Sequence, residues 1–239
     1  TKLVTSEQLV EMYLARIAAY DDAGPRLNAF LTLNPNAVAE ARALDAARHP
    51  GIARSPLYGI PVLLKDNVDT ADMPTTAGSV ALAGSIPPDD AFITRKLREA
   101  GAIILGKATL TEFANFLTNG MPAGYSSLGG YGFNPYDPRQ LPGGDGRPVL
   151  ATGGSSSGSG IAVSANLVAV AVGEPGKEDV DFVGRLARHL GSPATVLTTL
   201  EAEPDESVRR IAERFTAGCV RTLERWGVGW EELSAVNPR

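Results

Sequence analysis

The chain has 239 residues, of which 44% are apolar, 21% charged and 6% aromatic, with a formal net charge of −5. This composition is typical of a folded globular protein, and the acidic excess argues against a nucleic-acid-binding surface. One cysteine and two histidines are too few for a disulfide or a Cys/His metal site within the chain. We therefore expect no metal, no cofactor and no nucleic-acid partner.

We expect no export signal at the start of the chain. Its first residues, TKLVTSEQ, lack a basic-then-apolar leader, and no run of about 18 apolar residues occurs anywhere. We expect a cytoplasmic protein that does not enter a membrane. The sequence leaves its oligomeric state open.

The N-terminal part predicts helices that alternate with short buried strands. The first helix has an apolar stripe, and Thr5 with Gln8 forms a capping box at its start. The predicted elements are helices over 5–20, 37–47 and 88–100 and strands over 58–64 and 102–105. This alternation indicates an α/β fold.

Residues 120–160 are predicted to be mostly loop. This stretch holds 12 of the 26 glycines and 5 of the 17 prolines. A loop of this length inside a compact domain is usually functional or disordered. It ends in a serine-glycine run at 153–160, which is followed by an apolar stretch over 161–173.

The sequence changes character after Gly173. Residues 174–239 contain 12 acidic and 9 basic side chains, about twice the charge density of the first 173 residues. We predict two domains, 1–173 and 174–239, the second with helices over 179–190 and 207–226 and a strand over 194–200. The abrupt change suggests a junction, which a fused gene, a frameshifted or misassembled reading frame, or a recombinant origin of the sequence would each produce.

Lys65 is the first candidate for chemistry because it follows the apolar run 62–64 at the mouth of a predicted buried strand. A lysine in a dry site loses hydration of its ammonium form, so its pKa falls and it can act as a general base. The alternative is a solvent-facing lysine paired with Asp66.

The serine-glycine run at 153–160 is the second candidate. Its hydroxyls can serve as nucleophiles or proton relays, and its glycine backbone can cradle an anion. A phosphate loop would end in Gly-Lys-Ser/Thr, and a dinucleotide fingerprint would have a third glycine where Val163 stands. A flexible linker is disfavoured by the apolar stretch that follows at once. A Ser-Lys arrangement can replace Ser-His in acyl transfer, and this chain is nearly devoid of histidine.

Five stretches together resemble the amidase signature family in order and spacing, over about residues 5–173. They lie at 59–67, 75–79, 101–114, 134–137 and 153–160. The resemblance implies a mixed sheet covered by helices and a Ser-Ser-Lys triad that hydrolyses linear carboxamides. Lys65 would be the base, and Ser155, beside a cis peptide bond, would bridge it to a nucleophilic serine.

Other polar residues in these motifs receive lesser roles. The resemblance leaves Ser156, Ser157 and Ser159 to hydrogen-bond the loop or to cap the following helix. Lys107 and Glu112 are expected to serve packing and the protein surface.

The chain departs from the family at the nucleophile. The family's nucleophilic serine lies about two dozen residues beyond the bridging serine, a count that leads here to Asp179, and no serine occurs between Ser164 and Ser192. A carboxylate at that place would repel the developing oxyanion. The chain is also shorter than complete members, so the resemblance implies a truncated carbon-nitrogen hydrolase of impaired activity whose partner is a small amide.

Two other interpretations compete with an impaired hydrolase. One is a non-catalytic protein that binds amides in the retained pocket. The other rests on residues 167–239, whose strand-helix-strand-helix order weakly resembles universal stress protein domains, a fold able to bind a nucleotide. A plain α/β or helical tail is the alternative to that second resemblance.

Overall fold

The computed structural model describes residues 4–48, 55–116, 120–173 and 195–198. Its helices are α1 (Ser6–Tyr20), α2 (Ala37–Ala46), α3 (Phe92–Glu99) and α4 (Ser157–Ser164). Its strands are β1 (Phe30–Leu33), β2 (Pro61–Lys65), β3 (Ile103–Ala108), β4 (Tyr125–Ser126), β5 (Gly130–Tyr131), β6 (Val170–Gly173) and β7 (Thr195–Thr198). Short 3-10 helices occur at Val80–Leu82 and Glu112–Asn115.

The chain divides into two compact units, residues 1–50 with 56–199 and residues 51–55 with 200–239. Every described helix and strand belongs to the first unit. The predicted helices over 179–190 and 207–226 lie outside the described residues. The predicted domain boundary at 173 stays a prediction.

The main sheet has five strands in the order β1-β3-β2-β6-β7. β1 runs antiparallel to β3, whereas β2 is parallel to both β3 and β6, and β6 is parallel to β7. The carboxyl ends of β2, β3 and β6 therefore meet at one edge, where open α/β sheets commonly bind ligands. The α/β prediction is confirmed.

Both faces of this sheet are covered, which explains why β2 and β3 are buried at every residue. Leu63 and Leu105 pack on one face with α1, α2 and α4. Leu64 and Ile104 pack on the other face with Leu97 of α3. Because strand side chains alternate, Lys65 follows Leu63 onto the α4 face.

Several predicted elements agree with the structure. Strands β1, β4 and β5 have no counterpart among the predictions, and β4 and β5 are two-residue strands in the stretch predicted to be mostly loop. The predicted capping box is present: Thr5 Oγ1 accepts from the Gln8 amide at 3.1 Å, and Gln8 Oε1 accepts from the Thr5 amide at 3.0 Å. The predicted strand over 194–200 contains β7. β1 escapes prediction because its four residues are too short for a clear alternation, and its register shifts against β3.

In the described part of the chain, no helix has the length and apolar character needed to cross a bilayer. The same residues contain no group of three or more His, Cys, Asp or Glu side chains placed to hold a metal.

Candidate active site

Lys65 is the last residue of β2 and its side chain is fully buried. Its Nζ donates to Ser155 Oγ at 2.7 Å, across 90 residues of sequence. The structure thus brings together the two residues that the sequence singled out. The alternative of a solvent-facing Lys65 paired with Asp66 does not hold, because Asp66 forms its ion pair with a different lysine.

Ser155 lies in the loop just before α4, and backbone hydrogen bonds fix it on both sides. The Thr111 amide donates to the Ser155 carbonyl at 3.0 Å, and the Gly158 amide donates to the Thr109 carbonyl at 2.8 Å. The peptide bond between Gly154 and Ser155 is cis. A Cβ on Gly154 would lie 2.5 Å from Thr111 Oγ1, so the loop approaches this segment more closely than any other residue type permits.

The second half of the serine-glycine run forms the first turn of α4. Ser159 Oγ donates to the Val172 carbonyl at 2.9 Å, which ties α4 to β6 as a loop-bonding serine was expected to do. Ser156 is the residue before the helix, but its side chain makes no capping hydrogen bond. Ser157 is buried and its hydroxyl has no hydrogen-bond partner among the described residues.

The structure corrects the expectation that Lys107 serves the surface. Lys107 is fully buried in β3, and its Nζ lies 3.3 Å from Asp66 Oδ1, whose side chain is 1% exposed. Nζ also donates to Thr75 Oγ1 at 2.7 Å and to the Pro74 carbonyl at 3.0 Å. Burial lowers the pKa of Lys107, and the opposite charge of Asp66 works against that shift.

Glu112 is likewise buried and links two loops beside the site. Its carboxylate accepts from the Ser127 amide at 2.7 Å. Burial raises the pKa of Glu112, but hydrogen bonds with Ser127 and Ser79 outweigh it and hold the pKa below a carboxyl's ordinary value. The sequence does not indicate this role, because Ser127 lies in the loop-rich stretch 120–160, where no pattern identifies a hydrogen-bond partner for Glu112.

Asp179, the position at which the nucleophile was expected, lies outside the described residues. The described part of the site therefore consists of a buried amine, a hydroxyl within hydrogen-bonding distance of it and the loops that hold them. Such a pair can pass a proton to or from a third group.

Comparison with known proteins identifies the family of this site. Residues 8–176 match the family model for Amidase. The chain belongs to the amidase family. A Schizosaccharomyces pombe protein named as an amidase is 45% identical to this amidase-family chain over 244 residues, covering 98% of the chain and 39% of that protein. A glutamyl-tRNA(Gln) amidotransferase protein of Streptomyces coelicolor is 38% identical over 84% of this chain and 35% of its own length.

Solved structures of amidases show the same fold. Native peptide amidase from Stenotrophomonas maltophilia matches with a TM-score of 0.63 and 49% identity, over 70% of this chain and 32% of that one. An amidase family protein from Bacillus anthracis matches with a TM-score of 0.63 and 44% identity, over 70% of this chain and 31% of that one. The resemblance to the amidase signature family is confirmed, and the chain spans 31% to 39% of the lengths of the Schizosaccharomyces, Stenotrophomonas and Bacillus relatives.

Proposed function

We propose that this amidase-family chain carries the Lys65–Ser155 part of a site that hydrolyses linear carboxamides. The observation that supports this most directly is the 2.7 Å contact between Lys65 Nζ and Ser155 Oγ. Lys65 is fully buried at the carboxyl edge of the parallel strands. Its proton exchange is therefore directed to Ser155 rather than to bulk water.

In the proposed reaction Ser155 is a relay between Lys65 and a nucleophilic hydroxyl. As the nucleophile attacks the amide carbonyl, its proton passes to Ser155 Oγ while the proton of Ser155 passes to the neutral amine of Lys65. The carbon-nitrogen bond then breaks, and the same two groups return the proton to the leaving nitrogen. Water completes the cycle by cleaving the ester that remains on the nucleophile.

We propose further that hydrolysis by this chain is impaired. The support is the sequence itself, since no serine occurs between Ser164 and Ser192, the range that contains the expected nucleophile position. Without a reacting hydroxyl the Lys65–Ser155 relay has no proton to collect. The site is then expected to bind a small amide without turning it over.

The test is to measure ammonia release and calorimetric binding with a panel of small carboxamides. The variants are Lys65→Met and, as a control, Lys96→Met, which removes a lysine whose side chain is 53% exposed on α3. We expect binding of at least one amide by the unmodified chain and no turnover in the range of about 1 to 10³ per second typical of enzymes.

Each part of the proposal fails on a different result. Turnover that Lys65→Met abolishes and Lys96→Met preserves would contradict the impairment and support the base. Turnover that survives in Lys65→Met would remove Lys65 from the mechanism. Absence of both binding and turnover would contradict an amide site.

A further inference from the structure

A buried ion pair lies on the face of the sheet opposite to the face that carries the Lys65 side chain. Lys107 is paired with Leu64 in the register of β2 and β3, so it faces away from α4. Its Nζ lies 3.3 Å from Asp66 Oδ1, and both side chains are at most 1% exposed. The Asp66 amide also donates to the Ala108 carbonyl at 3.2 Å, which fixes the chain as it leaves Lys65.

Both members of this Asp66–Lys107 pair hold the loop 74–78. Asp66 Oδ2 accepts from the Thr76 amide at 3.1 Å and from the Thr76 hydroxyl. Lys107 donates to the Pro74 carbonyl and to Thr75 Oγ1. The loop thus meets the strand ends through charge-assisted hydrogen bonds, which are stronger and more directional than neutral ones.

The loop 74–78 in turn supports the segment that holds Ser155. The Ala77 carbonyl accepts from the Phe113 amide at 2.9 Å. Two residues earlier, the Thr111 amide donates to the Ser155 carbonyl at 3.0 Å. A continuous series of hydrogen bonds and short backbone steps therefore joins the Asp66–Lys107 pair to Ser155.

We propose that the Asp66–Lys107 pair is a positioning pair, which sets the place of Ser155 relative to Lys65 through the loop 74–78 and Thr111. This inference rests on the proposed function of Lys65 and Ser155. A buried ion pair is poor evidence of stability alone, because desolvating two charges offsets most of their attraction, whereas its geometry is restrictive. Neutralising Asp66 would leave the buried ammonium of Lys107 without its counter-charge. It would also weaken the hydrogen bonds that the Thr76 amide and hydroxyl donate to the Asp66 carboxylate.

The test is side-chain NMR of lysine, which needs no catalytic activity. The chain has only five lysines, so each amine and its adjacent carbon can be resolved after isotope labelling and assigned by single Lys→Met replacements. Ser155→Ala serves as the reference, because it removes the hydroxyl that Lys65 contacts. Glu7→Gln is the control, because it removes an ion pair with Arg42 that joins α1 and α2, away from the site.

We expect Ser155→Ala to move the Lys65 signal and Asp66→Asn to move it in the same direction by at least half as much, with Glu7→Gln leaving it in place. The comparison is made at a temperature where the amide spectrum shows every variant folded. Asp66→Asn also removes a charge beside Lys65, which moves the signal directly, so the deciding variants are Thr75→Val and Thr76→Val, each of which removes one hydroxyl from the loop and keeps both charges. They are expected to move the Lys65 signal in the same direction.

The outcomes separate this inference from the proposal on which it rests. A Lys65 signal that Ser155→Ala does not move would contradict the Lys65–Ser155 contact itself. A signal that moves with Ser155→Ala but stays in place in both threonine variants, while their melting temperatures fall, would overturn the positioning role whatever Asp66→Asn does, and would leave a purely structural pair.

Discussion

Two buried threonines show that the contribution of a hydroxyl to stability depends on whether it has a hydrogen-bond partner. Thr94 and Thr109 are both fully buried. Thr94 Oγ1 donates to the Asp69 carbonyl at 2.7 Å, whereas Thr109 Oγ1 has no partner among the described residues. A buried hydroxyl without a partner costs about 1–3 kcal/mol, and a paired one contributes about 1 kcal/mol.

The first prediction concerns these two side chains. Thr109→Val is expected to raise the free energy of unfolding by about 1 kcal/mol, because the same shape is kept and an unpaired hydroxyl is removed. Thr94→Val is expected to lower it by about the same amount, since it removes a buried hydrogen bond to the Asp69 carbonyl, which keeps only the Ala91 amide as donor at 3.0 Å. Urea unfolding measures both. Equal losses in the two variants would mean that the Thr109 hydroxyl is paired in solution.

The second prediction uses two glycines of α4. A Cβ on Gly158 would lie 2.5 Å from the carbonyl oxygens of Ala29 and Thr109, whereas one on Gly160 meets no described atom within 4 Å. Gly158→Ala is therefore expected to destabilise the protein by about 1–3 kcal/mol or more through overpacking. Gly160→Ala should stabilise it by up to about 1 kcal/mol through helix propensity.

Thermal and urea unfolding of the two alanine variants give the comparison directly. If Gly158→Ala were as stable as Gly160→Ala, then α4 would not pack closely against Ala29 and Thr109. The close approach that places Ser155 beside Lys65 would then lose its support.

At the scale of elements, a carboxylate joins the end of α1 to the start of β1. Asp21 follows the last residue of α1 and is 5% exposed. Its oxygens accept from the Ala29 amide at 2.6 Å and the Phe30 amide at 3.1 Å. Burial raises the pKa of Asp21 to about 6 despite these two hydrogen bonds.

The third prediction is the pH dependence that follows. Because the folded-state pKa of Asp21 lies above its unfolded value, the stability it contributes is present below about pH 4 and is lost as the pH rises through about 6. Asp21→Asn cannot ionise, so its stability relative to the unmodified protein is expected to rise by up to about 3 kcal/mol between pH 4 and 7. Urea unfolding at a series of pH values checks this. A difference between the two proteins that does not change with pH would show that Asp21 titrates normally.

Elements with local signals could be predicted, and those that depend on distant partners could not. The start of α1 follows from Thr5 and Gln8, which interact within one turn. β1 has no such local signal, since its four half-buried residues become a strand only by pairing with β3 more than 70 residues later. For the same reason, no pattern near Asp21 in the sequence predicts that its carboxylate accepts from the Ala29 and Phe30 amides at the start of β1.

At the scale of the molecule, the stretch 137–150 forms an arm held mainly by its own contacts, with a further hydrogen bond from the Tyr131 hydroxyl to Asp145 Oδ2 at 3.1 Å. The Leu141 amide donates to the Arg147 carbonyl at 2.8 Å, and the Val149 amide donates to the Arg139 carbonyl at 2.9 Å. Arg139 and Arg147 form ion pairs with Asp137 and Asp145, but both arginines are more than half exposed. Exposed pairs of this kind contribute little to stability.

The fourth prediction is that this arm can be shortened. Replacing residues 140–148 by Asn-Gly closes the ends with a tight turn whose closing hydrogen bond is the existing one from the Val149 amide to the Arg139 carbonyl, and the change in loop entropy is small. We expect the free energy of unfolding to change by less than about 1 kcal/mol, which corresponds to about 2–4 °C in melting temperature. The Lys65 signal in lysine NMR should not move. A larger loss of melting temperature would mean that the arm supports the sheet.

The sequence indicates the two residues of the candidate site, but it does not indicate the buried Asp66–Lys107 pair beside them. The juxtaposition of Lys65 and Ser155 could be expected because both lie in motifs of one recognised family. The burial of Lys107 could not, because the predicted strand over 102–105 ends two residues before Lys107, whereas β3 continues to Ala108 and lies between two other strands. The partner for its charge, Asp66, becomes evident only when β2 lies beside β3.

The strand order also has a consequence for how the protein is made. β2 lies between β3 and β6, and Lys65 meets Ser155 across 90 residues of sequence. At about 5–20 residues per second, a ribosome adds Ser155 roughly 5–18 s after Lys65. During that interval the apolar edge of β2 has no β6 to cover it, and open edges of this kind are where chains aggregate or engage chaperones. Biosynthesis of this chain is therefore expected to be most vulnerable before β6 emerges.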